Sequence, residues 1–206
     1  MVEPFTFTIL ILISLILITA GINLKYLFYP AISGLVLAIT LLKDFQRKRF
    51  FTWWNGESNQ QAENALNALG NGGFNGVGFD KSVIKEGFLP EVHTDFILPI
   101  IGEEIGFIGI FGLFILFFIF YFLAVKIAKN SPDIFSSMLA IGIAYNILFY
   151  FLINAGYVVG IFPPTGLAIP FISYGGSHTL FTLISVGVLL NISKYCNIYK
   201  NKFLKN

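Results

Sequence analysis

The chain has 206 residues, of which 56% are hydrophobic, 17% aromatic and only 12% charged, and its formal net charge is +2. Soluble globular domains carry charges on roughly 25% of their residues, so this composition excludes an ordinary soluble domain and indicates a polytopic membrane protein. So small a net charge gives no reason to expect nucleic-acid binding. The single cysteine, Cys196, excludes a disulfide framework within these residues.

Five apolar runs are long enough to cross a membrane, because a helix rises about 1.5 Å per residue and a hydrocarbon core is about 30 Å thick. We therefore predict an all-α fold, a polytopic integral membrane helical bundle that forms a single membrane domain over residues 1–206. The predicted spans cover residues 5–22, 26–43, 97–125, 134–155 and 168–193. Because no basic segment precedes the first run and a second run follows closely, we expect no cleaved signal peptide.

A long polar segment, residues 44–96, separates the second predicted span from the third. Loops of this length without regular structure are uncommon and are usually functional. Within the segment, residues 60–69 have helical spacing that places Ala65, Leu66 and Leu69 on one side, and a glycine-rich stretch follows. This pattern predicts a short amphipathic helix that lies at the membrane surface.

The basic residues of the short loops predict the orientation of the chain. With five spans, Lys25, Lys126, Lys129 and the lysines of residues 194–205 fall on one side, which the positive-inside rule assigns to the cytoplasm. The carboxyl terminus is then cytoplasmic and the long polar segment extracytoplasmic. The basic residues within 43–49 break this rule, and we interpret them as candidate ligands of an anionic headgroup.

Prolines and glycines interrupt the start of the last apolar run, in residues 163–166 and at Pro170. Irregular backbone at membrane depth is tolerated only where it is buried in protein or lines a cavity. Residues 173–177 are therefore predicted to border a cavity.

Asp95 follows His93 and Thr94 at the start of the third predicted span. A charge in hydrocarbon costs about 2.5 kcal/mol or more, so we expect this carboxylate to face a polar cavity or a substrate. Two roles fit the residue type: a general base that accepts a proton, or a cap for the helix that follows. The residues alone leave both roles open.

Glu103 and Glu104 lie further along the same run. Adjacent helical residues point about 100° apart, so the two carboxylates cannot form a dyad on one face, and we expect one to face protein and the other the rim. Ion binding would need a third oxygen ligand such as Glu91 or Asp95. The alternative is that the two charges only interact favourably with the helix dipole.

Arg47, Arg49 and Lys85 are candidates for a phosphate or pyrophosphate site, because arginine offers bidentate donors and lysine a point charge. Solvated cations at the membrane edge are the alternative. Asn146 and Asn154 lie on the fourth run and are interpreted as residues of one face that hydrogen-bond to neighbouring helices, which is a packing role.

Several motifs follow one another along the chain. They are Trp53–Asn55, Ala68–Gly70, Gly72–Gly73, Gly76–Gly78, Leu89–Phe96, Gly102–Gly109, Pro163–Gly166 and Pro170–Ser177. In this order they resemble the carboxyl-terminal half of the SEDS family (shape, elongation, division and sporulation), the FtsW, RodA and SpoVE proteins. The resemblance covers essentially the whole chain.

The resemblance implies a multi-pass enzyme of the bacterial plasma membrane, a peptidoglycan glycosyltransferase that polymerises lipid II into glycan strands during cell division or elongation. It also implies a partner, a class B penicillin-binding protein that cross-links the strands. Two alternatives remain. One is a transporter that moves lipid II across the bilayer, and the other is an inactive fragment that acts as a scaffold for the penicillin-binding protein.

The resemblance also implies roles for particular residues. Asp95 stands at the position of the family's essential aspartate and is the implied catalytic base. The implied substrate-binding residues are Arg47, Arg49, Lys85, Glu91, His93, Ser173 and Tyr174. Glu103 and Glu104 are candidates for coordinating a divalent cation, Mg²⁺ or Mn²⁺, and no other cofactor is expected.

The chain departs from the family pattern in two respects. It resembles only the second half of a longer set of spans, so we expect either a gene fragment or a companion polypeptide that supplies the first half. Asp80 stands where the family tends to have glycine, and Asn59 and Gln60 replace an aromatic neighbourhood. These departures weaken the inference from the resemblance that the loop positions a lipid.

Overall fold

The computed structural model of the chain describes residues 3–21, 23, 25, 51–55, 60–82, 95–163 and 166–203. Among these residues all regular structure is helical, which confirms the predicted all-α fold. The helices are α1 (Glu3–Thr19), α2 (Gln60–Gly72), α3 (Ile97–Lys129), α4 (Ile134–Val158) and α5 (Gly176–Phe203). Residues 51–54 add one helical turn.

Within the described residues, three helical segments are long and apolar enough to cross a membrane: α3, α4 and residues Gly176–Cys196 of α5. They confirm the prediction of a polytopic helical membrane protein. α1 is an apolar helix of 17 residues that covers most of the first predicted span. The second predicted span, residues 26–43, lies outside the described residues, so the number of five spans stays a prediction.

The chain forms two compact units. The first unit comprises Met1–Leu42, Phe118–Leu148 and Leu180–Asn206, and the second comprises Lys43–Phe117 and Phe149–Thr179. α3, α4 and α5 each contribute residues to both units. All of the candidate site residues that the structure describes belong to the second unit.

Small side chains allow the helices of the first unit to pack closely. Its fully buried alanines are Ala124, Ala128, Ala140 and Ala144. The side chain of Ile16 in α1 lies 3.2 Å from the position that a Cβ at Gly142 of α4 would take. Because apolar side chains gain little by leaving lipid, close contact of small residues is a main source of helix association in membranes.

α2 is the predicted amphipathic helix, but its buried side differs from the prediction. Ala65, Ala68 and Gly72 are buried, at the i, i+3, i+7 spacing of one helix face. The prediction that Leu66 shares this face is wrong, because 46% of Leu66 is exposed. The face needs small residues because a Cβ at Gly72 would lie 1.9 Å from the carbonyl oxygen of Gly102 in α3.

α5 begins at Gly176, and the described residues before it, 166–175, are irregular. The buried members of this irregular segment are Leu167, Ile169, Pro170 and Ser173. Phe171 has a φ of 69°, in a region that bulky residues rarely adopt. The segment is therefore partly buried in protein, while the adjoining cavity stays a prediction.

Candidate active site

Asp95 is half-buried and stands two residues before α3, where Asn154 of α4 holds its backbone. The side-chain nitrogen of Asn154 donates to the carbonyl oxygen of Asp95 at 2.9 Å and to that of Leu167 at 2.7 Å. Since both neighbours are acceptors, the nitrogen of the amide and not its oxygen must face them. Asn154 is fully buried, so water does not compete for these bonds.

Pro99 explains why the carbonyl of Asp95 needs a partner from another helix. In an α-helix a carbonyl accepts from the amide four residues later. The residue four after Asp95 is Pro99, which has no N–H and is tolerated here because it lies in the first turn. Asn154 supplies the missing donor, and this ties the start of α3 to α4.

The carboxylate of Asp95 lies against the irregular segment. A Cβ at Gly166 would be 3.2 Å from Oδ2 of Asp95, and Gly166 has a φ of 67°, which favours glycine. The next residue, Phe96, packs edge-on against Tyr157 of α4 with the ring centroids 5.2 Å apart. Three elements, α3, α4 and the irregular segment, therefore fix the position of Asp95.

α3 is broken at Gly106, whose φ of 77° and ψ of −167° are not helical. This region of backbone conformation is essentially restricted to glycine. In an unbroken helix the carbonyls of Glu103 and Glu104 would accept from the amides of Phe107 and Ile108. The break leaves these four groups without their helical partners.

Residues 73–78, here called the glycine turn, follow α2 and supply replacement partners for all four groups. The bonds run from Val77 N to Glu103 O (2.9 Å), from Gly78 N to Glu104 O (3.1 Å), from Phe107 N to Gly73 O (3.0 Å) and from Ile108 N to Phe74 O (3.4 Å). The backbones approach so closely that a Cβ at Gly106 would lie 2.4 Å from the amide nitrogen of Gly76. Glycine at position 106 therefore allows both the break and the docking of the turn.

Both acids beside the break are buried, Glu103 at 0% and Glu104 at 7% exposure. The expectation that one of them faces the rim is wrong, because the glycine turn and the residues after it pack on this part of α3. Ser82 belongs to those residues: it is buried, and its hydroxyl donates to Oε2 of Glu103.

A divalent cation would need several oxygen ligands around Glu103 or Glu104. Among the residues that the structure describes, no group of three or more His, Cys, Asp or Glu side chains could hold a metal ion. Glu91, the third ligand considered, lies outside those residues. Ion coordination by Glu103 or Glu104 therefore stays a prediction.

Ser173 and Tyr174, both predicted to bind substrate, differ in their exposure. Ser173 is buried, and its hydroxyl oxygen accepts from the amide of Ile169 at 2.8 Å, which closes the turn before α5. Tyr174 is 79% exposed. Tyr174 is thus accessible, whereas Ser173 shapes the turn before α5, and the substrate-binding role of each residue stays a prediction.

Trp53 gives the long polar segment a contact with the end of α4. Its indole nitrogen donates to the carbonyl oxygen of Gly160 at 2.9 Å. Trp54 beside it is exposed, with the two ring centroids 6.3 Å apart.

The remaining predicted substrate-binding residues lie outside the described part of the chain, and their roles stay predictions: Arg47, Arg49, Lys85, Glu91 and His93.

The chain matches the model of the FtsW, RodA and SpoVE family, described as cell cycle proteins, over residues 5–198. The chain belongs to this family. The resemblance inferred from the motifs is therefore confirmed. The family match includes α3, α4, the glycine turn, Asp95 and α5 as far as residue 198.

Individual relatives agree with the family match. Stage V sporulation protein E of Bacillus subtilis (strain 168) is 36% identical over 85% of this chain and 50% of its own length. A probable peptidoglycan glycosyltransferase FtsW of the same strain is 44% identical over 70% of this chain and 36% of its own length. A protein of the same name from Geobacter metallireducens is 38% identical over 87% of this chain and 50% of its own length.

The chain spans about half the length of the FtsW and SpoVE relatives that it matches. The chain also resembles a solved structure. That structure concerns the structural coordination of polymerization and crosslinking by a peptidoglycan synthase complex. The TM-score is 0.73 with 24% sequence identity, over 92% of this chain and 55% of that chain. At this identity the likeness shows the fold.

Within this member of the FtsW, RodA and SpoVE family, sequence reasoning missed the residues that support Asp95. The sequence places Asn154 and Asn146 on one packing face, but of the two only Asn154 is buried, and Asn146 is exposed. Asn154 also bonds to backbone carbonyls, one in the irregular segment and one before α3. The signal that could have indicated a missing donor was the proline four residues after Asp95.

Proposed function

We propose that the chain is the carboxyl-terminal part of a peptidoglycan glycosyltransferase that polymerises lipid II in the bacterial plasma membrane. Family membership supports the proposal, since relatives that match most of this chain are named as probable enzymes of that kind. The observation that carries it is the placement of Asp95. Asp95 lies just before the membrane-spanning helix α3, and its backbone is held by Asn154. Its carboxylate lies against Gly166.

In this reaction a hydroxyl group of the acceptor sugar attacks the anomeric carbon of the donor. A bond forms between the hydroxyl oxygen and that carbon, and the bond from the carbon to the polyprenyl pyrophosphate breaks. The pyrophosphate leaves with the electron pair, and the hydroxyl proton passes to the carboxylate of Asp95 as general base. Cations rather than a strong acid then suffice to stabilise the departing charge.

We assign Arg47, Arg49 and Lys85 to the departing pyrophosphate, because guanidinium and ammonium groups are its usual partners in proteins. Glu91 and His93 are assigned to the substrate on their closeness to Asp95 in the sequence. Tyr174 is assigned to the bound lipid or sugar, and its exposure supports that role.

We also propose that the polar segment of residues 44–96 is extracytoplasmic and that the carboxyl terminus is cytoplasmic. The positions of the lysines in the short loops support this orientation. A class B penicillin-binding protein is the proposed partner. The solved structure with the same fold supports it, because that structure is of a peptidoglycan synthase complex that coordinates polymerization and crosslinking.

The test compares two purified preparations in proteoliposomes that contain lipid II. One holds this chain alone, and the other holds this chain co-expressed with the amino-terminal half of the Bacillus subtilis FtsW relative. We expect glycan strands on gels from the co-expressed preparation. Asp95→Asn should lower the yield about 100-fold or more, as for the loss of a general base, without changing the amount of folded protein.

Asp133→Asn is the matched control. Oδ2 of Asp133 accepts from the amide of Ser136 at 2.7 Å at the start of α4, and asparagine caps a helix equally well. Unchanged polymer yield in Asp95→Asn would refute the base assignment, and no polymer from either preparation would refute the function. Movement of lipid II across the vesicles without polymer would favour the transporter, and partner binding alone would favour the scaffold.

A further inference from the structure

We propose that Asn154 is a positioning residue for Asp95, and that its amide sets where the catalytic carboxylate stands. The inference rests on the proposed function, because it takes Asp95 as the base. Asn154 itself is fully buried, so the inference places it behind Asp95 and not among the residues that contact the substrate.

One side-chain nitrogen donates to two backbone carbonyls that lie outside the regular helices. Pro99, four residues after Asp95, has no N–H to donate to the carbonyl of Asp95, and the carbonyl of Leu167 belongs to the irregular segment. An amide nitrogen carries two hydrogens, so it can donate to both at once. Among short side chains, only asparagine offers this pair of donors.

The two carbonyls lie on either side of the reacting group. The first belongs to Asp95, and the second belongs to the residue after Gly166, whose backbone lies beside Oδ2 of Asp95. A change in the Asn154 amide therefore moves the carboxylate relative to the backbone that borders it. Since misplacement of a reacting group by about 1 Å can cost about 100-fold in rate, the effect should fall on kcat. KM should change little, because the contacts with lipid II are made by other residues.

The kcat of variants at position 154 should increase with the number of hydrogen-bond donors that the new side chain retains. Asn154→Ala and Asn154→Asp remove both donors, and the aspartate also places a carboxylate oxygen against two carbonyl oxygens. Asn154→Ser retains one donor and should keep an intermediate kcat. Asn154→Gln retains both but carries them one methylene further, so it should not restore the rate fully.

The experiment measures kcat and KM for lipid II polymerisation per folded molecule, in the same co-expressed proteoliposomes. We expect Asn154→Ala to lower kcat about 100-fold, with Asn154→Ser between it and the unmodified protein. Asn146→Ala, on an exposed position of the same helix, should change neither parameter.

Phe151→Leu is the control for a purely structural effect. Phe151 is buried in α4 and stacks on Phe117 with the ring centroids 4.1 Å apart, so the change should lower the unfolding temperature and leave kcat per folded molecule intact. Equal losses of kcat in Phe151→Leu and Asn154→Ala would overturn the positioning role. If Asp95→Asn is inactive but Asn154→Ala and Asn154→Ser keep an unchanged kcat, the positioning role is also overturned. The proposed function would still stand in that case. Full activity of Asp95→Asn would overturn the base assignment and this inference together.

Discussion

The hydroxyl of Ser82 donates to Oε2 of Glu103, and both side chains are buried. The pair joins the residues after the glycine turn to α3, across a separation of 21 positions in the chain. A carboxylate on a membrane-spanning helix is costly unless polar groups face it. The long polar segment thus carries a buried polar contact to α3 as well as the backbone bonds of the glycine turn.

We expect Ser82→Ala to destabilise the protein by about 1–3 kcal/mol, because a buried carboxylate oxygen loses a donor. Unfolding in detergent micelles measures the change. Ser131→Ala is the matched control, since the hydroxyl of Ser131 makes only an exposed bond of 3.4 Å to the carbonyl of Asp133. In a Glu103→Leu background the cost of Ser82→Ala should shrink, because the two residues interact directly. Strictly additive losses would contradict the interaction.

Gly106→Ala should release the glycine turn from α3. The φ of 77° and ψ of −167° at this position strain any other residue, and the new Cβ would lie 2.4 Å from the amide nitrogen of Gly76. We expect a lower unfolding temperature and faster proteolysis within the glycine turn. Gly112→Ala on the same helix is the control, because a Cβ there meets nothing within 4 Å. Similar proteolysis rates for the two variants would rule out a docked turn.

The sequence was sufficient to predict the helical membrane fold, because α3, α4 and the apolar part of α5 are each long enough to cross a bilayer. It did not predict the break at Gly106. The apolar run is continuous through that position, and the break is stabilised by the glycine turn, which comes earlier in the chain. Hydropathy reports the length of a run and not the hydrogen bonds that a distant loop offers to it.

The same limit applies to the candidate site. Asp95 could be identified from the sequence because a carboxylate at the edge of an apolar run needs a reason to be there. Its support by Asn154 could not, because the two residues are 59 positions apart and no local pattern connects them. Pro99 indicated that the Asp95 carbonyl lacks a donor, but only tertiary packing selects the residue that replaces it.

Two glycines of α2 should respond oppositely to the same substitution. A Cβ at Gly72 would lie 1.9 Å from the carbonyl oxygen of Gly102, whereas a Cβ at Gly70 meets nothing within 4 Å. Gly72→Ala should therefore push α2 away from α3 and destabilise the protein by more than about 1 kcal/mol. Gly70→Ala should stabilise it by up to about 1 kcal/mol, because alanine is the better helix former. Both changes are read from unfolding in detergent, and a stabilising Gly72→Ala would disprove the close contact of the two helices.

The proposed orientation predicts which introduced thiols react from outside the cell. In a Cys196→Ser background, Lys81→Cys lies in the proposed extracytoplasmic segment, and Asn130→Cys lies after α3 on the proposed cytoplasmic side; both positions are exposed. A membrane-impermeant maleimide added to spheroplasts should label Lys81→Cys at once and Asn130→Cys only after the membrane is opened. Asn130 suits the test because Lys126 and Lys129, on which the orientation depends, remain in place. The reverse labelling pattern would invert the topology and put Asp95 on the cytoplasmic side.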